Sequence, residues 1–86
     1  MPDISRSYGV VVVMYFNDHR PPHFHARFGS HRAKYQIDPL GCIDGELPPR
    51  IEHLVLEWAG IHRDELIECF EAVMAHRVPL RVPPLR

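Results

Sequence analysis

The sequence predicts an α+β domain: a three- to four-stranded antiparallel β-meander with one long C-terminal α-helix packed on one face. Three observations lead to this prediction. A β-branched and aromatic run at residues 9–16 is typical of a strand, and alternating apolar and polar residues at 23–37 are typical of a β-hairpin. After a pair of prolines, apolar residues recur with helical spacing from residue 51 to residue 73, which indicates an amphipathic helix.

The run at residues 9–16 gives the strongest strand signal because it is rich in valine and aromatic residues. Both of its faces are apolar, as in a central strand that is covered on both sides. Val11, Val13 and Tyr15 would lie on the same sheet face as the charged residues of the neighbouring hairpin. They therefore either line a cleft beside those charges or lie beneath the C-terminal tail. A polar, proline-stiffened connection at residues 17–22 follows the strand.

A two-residue turn at Gly29-Ser30 sets the register of the predicted hairpin. On the apolar face the expected pairs are Phe28 with His31, Ala26 with Ala33, and Phe24 with Tyr35. On the polar face they are Arg27 with Arg32, His25 with Lys34, and His23 with Gln36. Like charges directly opposite one another lower the stability of a sheet. A face built in this way therefore favours an anionic or metallic ligand.

The chain after the hairpin is predicted to be mostly helical. Cys42-Ile43 would add a short fourth strand, and Pro48-Pro49 then opens a helix. We expect this helix to continue to about residue 76 and to bend at Gly60, where glycine costs about 1 kcal/mol relative to alanine. Its apolar stripe should cover the apolar face of the hairpin. Residues 1–76 thus form a single α+β domain, and residues 77–86 form a basic, proline-rich extended tail.

The charges are distributed unevenly along the chain. Residues 1–37 carry five Lys/Arg and two Asp/Glu, whereas residues 38–76 carry two Lys/Arg and nine Asp/Glu. Since the net charge is −1, the composition argues against a protein that binds polyanions over its whole surface. It is compatible with one basic patch on the sheet.

The cysteines and the N-terminus indicate a cytoplasmic protein. Cys42 and Cys69 have neither a Cys-x-x-Cys nor a zinc-finger spacing, so we interpret both as reduced structural residues. The first residues lack the basic region and apolar run of a signal peptide. The longest apolar run, residues 10–16, is far too short to cross a bilayer, so no membrane contact is expected.

Several short motifs carry a resemblance to a known family. They are Ile4-Ser5 and Tyr8-Gly9, Met14-Tyr15-Phe16, Pro21-Pro22-His23-Phe24-His25-Ala26, Gly45-Glu46-Leu47-Pro48, Leu56-Glu57-Trp58-Ala59, and His62-Arg63-Asp64-Glu65-Leu66. Over nearly its whole length the chain resembles a small bacterial family called domain of unknown function 4160. The resemblance implies a short protein encoded beside a second small protein, in a locus of the toxin–antitoxin type. It implies no settled activity and assigns no catalytic residue.

The leading functional hypothesis is a small interaction module, the toxin-like member of such a pair. A basic sheet face would engage an acidic protein encoded by the neighbouring gene, or RNA. The candidate partner- or anion-binding residues are Tyr15, Arg20, His23, His25, Arg27, Arg32 and Lys34. The sequence does not decide whether the protein is an enzyme or whether it forms a homo-oligomer. In a ribonuclease, His23 or His25 would act as general acid or base, and an arginine would stabilise the transition state.

The alternative hypothesis is a divalent-metal module or a small metal-dependent hydrolase, with zinc as one candidate ion. His23 and His25 share a strand face, and His19 and Asp18 lie within reach in the preceding loop. An open metal site needs about three protein ligands, and imidazole and carboxylate are suitable ones. A metal-dependent hydrolase would need a further group as general base. The leading hypothesis requires no cofactor.

Overall fold

The computed structural model of the chain describes residues 3–16 and 18–84, and within them five strands form one antiparallel sheet in sequence order. The strands are β1 (Asp3–Ser7), β2 (Val10–Val13), β3 (His23–Phe28), β4 (His31–Ile37) and β5 (Leu40–Glu46). Two helices follow, α1 (Pro49–Ile61) and α2 (Arg63–Met74). The α+β class is confirmed. The predicted three or four strands and single long helix are wrong in detail, since the sheet has five strands and the helix is divided.

The first strand was not predicted from the sequence. β1 is mostly polar, with Ile4 as its one large apolar residue, so it lacks the apolar alternation of a typical strand. Its partner β2 is joined to it by Tyr8 and Gly9, both of which have positive φ angles (53° and 79°). Two such residues make the tight turn that suits a two-residue hairpin. Ile4 is fully buried, so this edge strand contributes to the core.

The second strand is shorter than predicted. β2 ends at Val13, whereas the apolar run continues to residue 16. Beyond Val13 the backbone turns, and the Asp18 N–H donates a hydrogen bond to the Tyr15 carbonyl over 3.1 Å. Tyr15 and Phe16 are only half-buried. The end of this run therefore belongs to the loop that leads back to β3.

The central hairpin has the register that the sequence predicts. All six cross-strand pairs between β3 and β4 agree, from His23 opposite Gln36 to Phe28 opposite His31. The predicted fourth strand at residues 42–43 is longer, because β5 pairs with β4 over most of its length. This pairing places Asp44 opposite Lys34 and Glu46 opposite Arg32. The basic face of the hairpin therefore has acidic residues on its next neighbour.

The helical region breaks at His62 and not at Gly60. Gly60 stays within α1, whereas His62 leaves helical geometry (φ −104°, ψ 26°). The His62 N–H still bonds the Trp58 carbonyl, and the His62 carbonyl accepts from the Leu66 N–H, so the break spans one residue. A hydrogen bond between His62 Nδ1 and Glu65 joins the break to the first turn of α2. In the described part of the chain, neither helix has the length and apolarity needed to cross a membrane.

The core lies between the helices and the apolar face of the hairpin, as predicted. The Phe24 ring stacks on Tyr35 at 5.5 Å between centroids and meets the edge of Trp58 at 6.0 Å. The Tyr35 hydroxyl donates to Glu52 Oε2 over 2.9 Å, which connects β4 to α1. Burial, with a further contribution from the Glu52 carboxylate, raises the pKa of Tyr35. The neutral hydroxyl therefore serves as a structural donor.

The segment after α2 packs against the domain through residues 77–84. The Val82 N–H donates to the Ile4 carbonyl over 3.1 Å, and the Val82 side chain is part of the buried core. Trp58 Nε1 donates to the Pro83 carbonyl over 2.7 Å, and the Cys69 thiol donates to the Leu80 carbonyl over 3.1 Å. This segment is therefore attached to β1 and to both helices.

Thiol labelling tests this attachment. Cys69 is buried, and burial, together with Glu65 and Glu68, raises the pKa of its thiol to about 11. Cys42 is exposed. Because the thiolate is the reactive form, brief alkylation of the native protein should modify Cys42 and leave Cys69 unmodified by mass spectrometry. Modification of Cys69 at the rate of Cys42 would show that the tail does not cover α2. A Cys42→Ser variant supplies the control, with no fast-reacting thiol expected.

Candidate metal centre and the groove beside it

Three side chains from one loop and one strand converge at the start of β3. Asp18 lies in the loop between β2 and β3, and His23 and His25 point to the same face of β3. One carboxylate oxygen, Asp18 Oδ2, lies 3.2 Å from Nε2 of His23 and 3.2 Å from Nε2 of His25. The three ligand atoms all lie within 4.8 Å of one another. We call this group the Asp18–His23–His25 cluster.

His23 is the buried member of the cluster. Its side chain is 3% exposed, and its ring packs beside Phe70 of α2 at 5.5 Å between centroids. Nδ1 lies 2.8 Å from the Pro21 carbonyl oxygen. Because a carbonyl can only accept, the proton of the neutral ring lies on Nδ1 and the lone pair lies on Nε2. The backbone thus fixes the tautomer of His23.

This tautomer leaves His23 Nε2 without a partner. Nε2 is buried and has no hydrogen bond within the described residues, although Asp18 is 3.2 Å away. A carboxylate and an imidazole lone pair are both acceptors, so their approach is unfavourable unless a cation or a proton lies between them. Buried polar atoms are almost always satisfied in native proteins. A cation, or a proton on Nε2 that Asp18 accepts, would satisfy this position.

His25 forms the more exposed side of the cluster. Its side chain is 25% exposed, Nε2 hydrogen-bonds Asp18 Oδ2, and the Tyr15 ring meets it edge-on at 4.6 Å. Burial lowers the pKa of His25, and the hydrogen bond to Asp18 opposes that effect. The lowered pKa favours the neutral imidazole, which is the form that binds metal ions.

Two of the three separations in the cluster are close to those of a first-row transition-metal site. The third, between the two imidazole nitrogens, lies within the 4.8 Å that encloses all three atoms. Two ligand atoms that each lie about 2.1 Å from a tetrahedral zinc ion are about 3.4 Å apart. The two 3.2 Å separations from Asp18 Oδ2 are close to that value. The bond from His23 Nδ1 to a backbone carbonyl is also the usual outer contact of a metal-bound histidine. With three protein ligands, the site would keep at least one position open.

Two of the residues proposed from the sequence lie elsewhere. His19 is exposed and does not belong to the cluster, although the sequence placed it among the candidate ligands. Arg20 forms an ion pair with Glu71 of α2. Their hydrogen bond and charges raise the pKa of Arg20 and lower that of Glu71. Arg20 thus connects the loop to α2.

The remaining candidate residues line a groove beside the cluster, which we call the β3–β4 groove. It has a volume of about 250 Å³, and its polar and aromatic lining residues are Tyr15, His25, Arg27, Arg32, Lys34 and Asp44. His25 belongs to both the groove and the cluster. Asp44 was missed by the sequence analysis, because its strand was predicted to end before it. The sequence did contain a signal for this residue, the Asp44-Gly45 pair. In the structure, the Gly45 N–H donates a hydrogen bond to Asp44 Oδ1 over 2.9 Å at the wall of the groove.

Arg27 carries a second buried atom without a partner. Arg27 is half-buried, and its Nε has no hydrogen bond within the described residues. Like His23 Nε2, this atom belongs to β3, and the two side chains point to the same face on either side of His25. One is a lone pair that a cation would satisfy, and the other is a donor that an anion would satisfy. The two unsatisfied atoms therefore belong to one strand face, with His25 between them.

Comparison with known proteins identifies a family without an assigned activity. Comparison with curated proteins and with solved structures gives no match. A family model described as "Domain of unknown function (DUF4160)" matches residues 9–71. The matched segment contains Asp18, His23 and His25 as well as the β3–β4 groove. Because the match extends over well more than half of the 86 residues, the chain belongs to the DUF4160 family.

Proposed function

We propose that the protein binds one divalent transition-metal ion through Asp18, His23 and His25. The observation that carries this proposal is the buried Nε2 of His23, which faces the Asp18 carboxylate at 3.2 Å and has no hydrogen bond among the described residues. The bond from Nδ1 to the Pro21 carbonyl fixes that lone pair in place. A cation between the three side chains would satisfy all of them at once.

The ligand set favours zinc and its neighbours over magnesium and calcium. Two imidazoles and one carboxylate suit Zn²⁺, Fe²⁺, Co²⁺ or Ni²⁺, whereas Mg²⁺ and Ca²⁺ prefer oxygen ligands throughout. Three protein ligands leave room for water or for an exogenous ligand, as in catalytic rather than structural zinc sites. An ion held in this way can act as a Lewis acid toward whatever enters the groove. The proposal thus concerns an open metal centre.

Metal titration tests the proposal. Zn²⁺ or Co²⁺ added to protein purified without a polyhistidine tag should bind as one ion per chain in calorimetry. His25→Ala should lower the affinity by about 100-fold or more, because loss of an outer contact alone costs about 10- to 100-fold. His19→Ala is the matched control: it removes the same kind of side chain from the loop before β3, where His19 is exposed and outside the cluster. Its affinity should equal that of the wild type.

Two results would reject the metal site. One is a wild-type protein that binds neither ion. The other is a His25→Ala variant that binds as tightly as the wild type, since the ion would then lie elsewhere. If His19→Ala lost the ion and His25→Ala kept it, the loop histidine suggested by the sequence would be the ligand, and the cluster defined here would be wrong.

The cations of the groove favour a second candidate function, contact with an acidic partner protein. Arg27, Arg32 and Lys34 line one wall, but Asp44 lies among them and Glu46 lies opposite Arg32. This mixture of charges favours contact with a small acidic group over binding of an extended polyanion. The toxin-like role, the bacterial two-gene locus, RNA binding and a cytoplasmic location stay predictions from the sequence.

A further inference from the structure

We infer that the β3–β4 groove binds a phosphate group, with one oxygen on the open position of the metal ion and the others on the arginine and lysine side chains of the groove. This inference rests on the metal site proposed above. It deepens that proposal by assigning the chemical class of the exogenous ligand. Four features support it: the spacing along β3, the two unsatisfied buried atoms, the charge of the groove walls and the size of the groove.

The spacing along β3 suits one bridging group. His25 is a metal ligand in the proposed site, and Arg27 follows it by two residues on the same strand face. Alternate residues of a strand are about 7 Å apart. A phosphate can hold one oxygen about 2.1 Å from a metal ion and another about 2.8 Å from a guanidinium nitrogen. One phosphate therefore spans the interval between the ion and Arg27.

The unsatisfied atoms match this ligand at both ends. His23 Nε2 needs a cation, and Arg27 Nε needs an acceptor. A metal-bound phosphate supplies that acceptor at the place where Arg27 lies, two residues beyond His25. Guanidinium groups also bind phosphate oxygens in a two-pronged geometry that few other anions use as well. The same ligand thus accounts for the second buried atom, Arg27 Nε, which has no hydrogen bond to the described part of the chain.

The charge of the walls favours an anion with more than one negative charge. Arg32 lies directly across from Arg27, so two like charges face each other over β3 and β4, and Lys34 lies beside them across from His25. Such pairs lower stability unless an anion lies between them. Asp44 and Glu46, which lie opposite Lys34 and Arg32, offset two of these charges. A divalent metal ion would add two positive charges, one of which Asp18 would offset. The remaining positive potential suits phosphate better than a single carboxylate.

The size of the groove favours a small group. Its volume of about 250 Å³ is below the range of about 300–1,000 Å³ that is typical of pockets for drug-sized ligands. A phosphate group fits within it, and the rest of a larger ester would extend toward solvent. The size of the groove therefore favours a phosphate group, and it places few limits on the rest of the molecule to which that phosphate is attached.

Cobalt provides a spectroscopic test. Inorganic phosphate should change the visible absorption of the Co²⁺-loaded protein and should bind the metal-free protein at least about tenfold more weakly. Arg27→Gln should lower phosphate affinity by at least about tenfold, as expected for loss of a charged hydrogen bond. Arg50→Gln removes one positive charge from the exposed start of α1, outside the groove, and should leave phosphate affinity unchanged. Circular dichroism melting confirms that each variant is folded, and Lys34→Gln gives a second groove variant if Arg27→Gln does not fold.

The outcomes separate this inference from the metal proposal. If Co²⁺ does not bind at all, the metal site fails and the inference fails with it. If Co²⁺ binds but phosphate affects neither the spectrum nor the heat of binding, only the inference is overturned. Phosphate affinity that is equal with and without Co²⁺ would also overturn it, since the ion and Arg27 would not share the ligand. Binding of a glutamate-rich peptide in place of phosphate would overturn it in favour of an acidic partner protein.

The same assay identifies the source of the phosphate. A 5′-mononucleotide and a short single-stranded oligoribonucleotide are compared with inorganic phosphate on the Co²⁺-loaded protein. Tighter binding of the mononucleotide supports a phosphate ester as the ligand, and a further gain for the oligoribonucleotide supports RNA as its carrier. Equal affinity for all three supports the free anion.

Discussion

His23→Leu should abolish stabilisation of the fold by metal while leaving the metal-free protein at least as stable as the wild type. Leucine is similar in volume and suits the contact with Phe70, which lies 5.5 Å from the His23 ring. An unsatisfied buried polar atom costs about 1–3 kcal/mol, and leucine removes that cost at Nε2. The lost bond from Nδ1 costs less, because Pro21 is exposed and water can bond its carbonyl. If the proposed site binds a metal ion, it does so at a cost in the stability of the metal-free fold.

Denaturant unfolding with and without Zn²⁺ measures both effects. Zn²⁺ at about 100 times its dissociation constant should raise the free energy of unfolding of the wild type by about 2.7 kcal/mol and that of His23→Leu by close to zero. His19→Leu serves as the control, since it makes the same change at an exposed loop position. A His23→Leu protein that keeps the zinc effect would contradict the role of His23. So would a metal-free variant that is several kcal/mol less stable than the wild type.

Gly45→Ala should be among the most destabilising single-methyl changes in the protein. Gly45 has a positive φ angle of 71°, which costs an alanine about 1–2 kcal/mol. An added Cβ would also lie 2.3 Å from the Arg32 carbonyl oxygen and 3.0 Å from Ala33 Cα. Both contacts are with the backbone of the paired strand, which can move away only by separating β4 from β5. With overpacking at about 1–3 kcal/mol, the expected loss in the free energy of unfolding is about 2–5 kcal/mol.

Gly29→Ala is the matched control for this effect. Gly29 also has a positive φ angle (59°), but an added Cβ would have nothing within 4 Å. Its expected loss is therefore the backbone cost alone, about 1–2 kcal/mol. The difference between the two variants in urea unfolding isolates the contact with Arg32. Equal losses would show that β4 and β5 are not as closely paired at Gly45 as described.

The sequence predicts the centre of this fold better than its edges. The register of β3 and β4 follows from alternation and from a two-residue turn, and all six of its pairs are confirmed. β1 and most of β5 were missed because edge strands bury little and need no apolar alternation. One continuous helix with a bend at Gly60 was predicted, since propensity favours glycine as the weak point, but the helix is divided at His62. In the protein, the break lies where His62 bonds Glu65.

The candidate site was also predicted only in part from the sequence. His23 and His25 were expected on one strand face because side chains alternate along a strand. Which loop residue joins them could not be predicted: Asp18 and His19 are adjacent in sequence, and only the turn made by the Asp18 N–H and the Tyr15 carbonyl decides that Asp18 reaches the cluster. The burial of His23 under Phe70 depends on α2, which is distant in sequence. Neither contact could be predicted from a local pattern in the sequence.

The C-terminal segment has a further consequence for self-association. β1 is an edge strand beside the four consecutive valines of β2, and exposed apolar strand edges recruit other chains into intermolecular sheets. The Val82 N–H donates a hydrogen bond to the Ile4 carbonyl on β1. Pro79, Pro83 and Pro84 flank that contact and have no N–H groups with which another strand could pair. The tail therefore occupies one backbone acceptor of this edge, and the prolines on either side of that contact limit the pairing of a further strand with the tail.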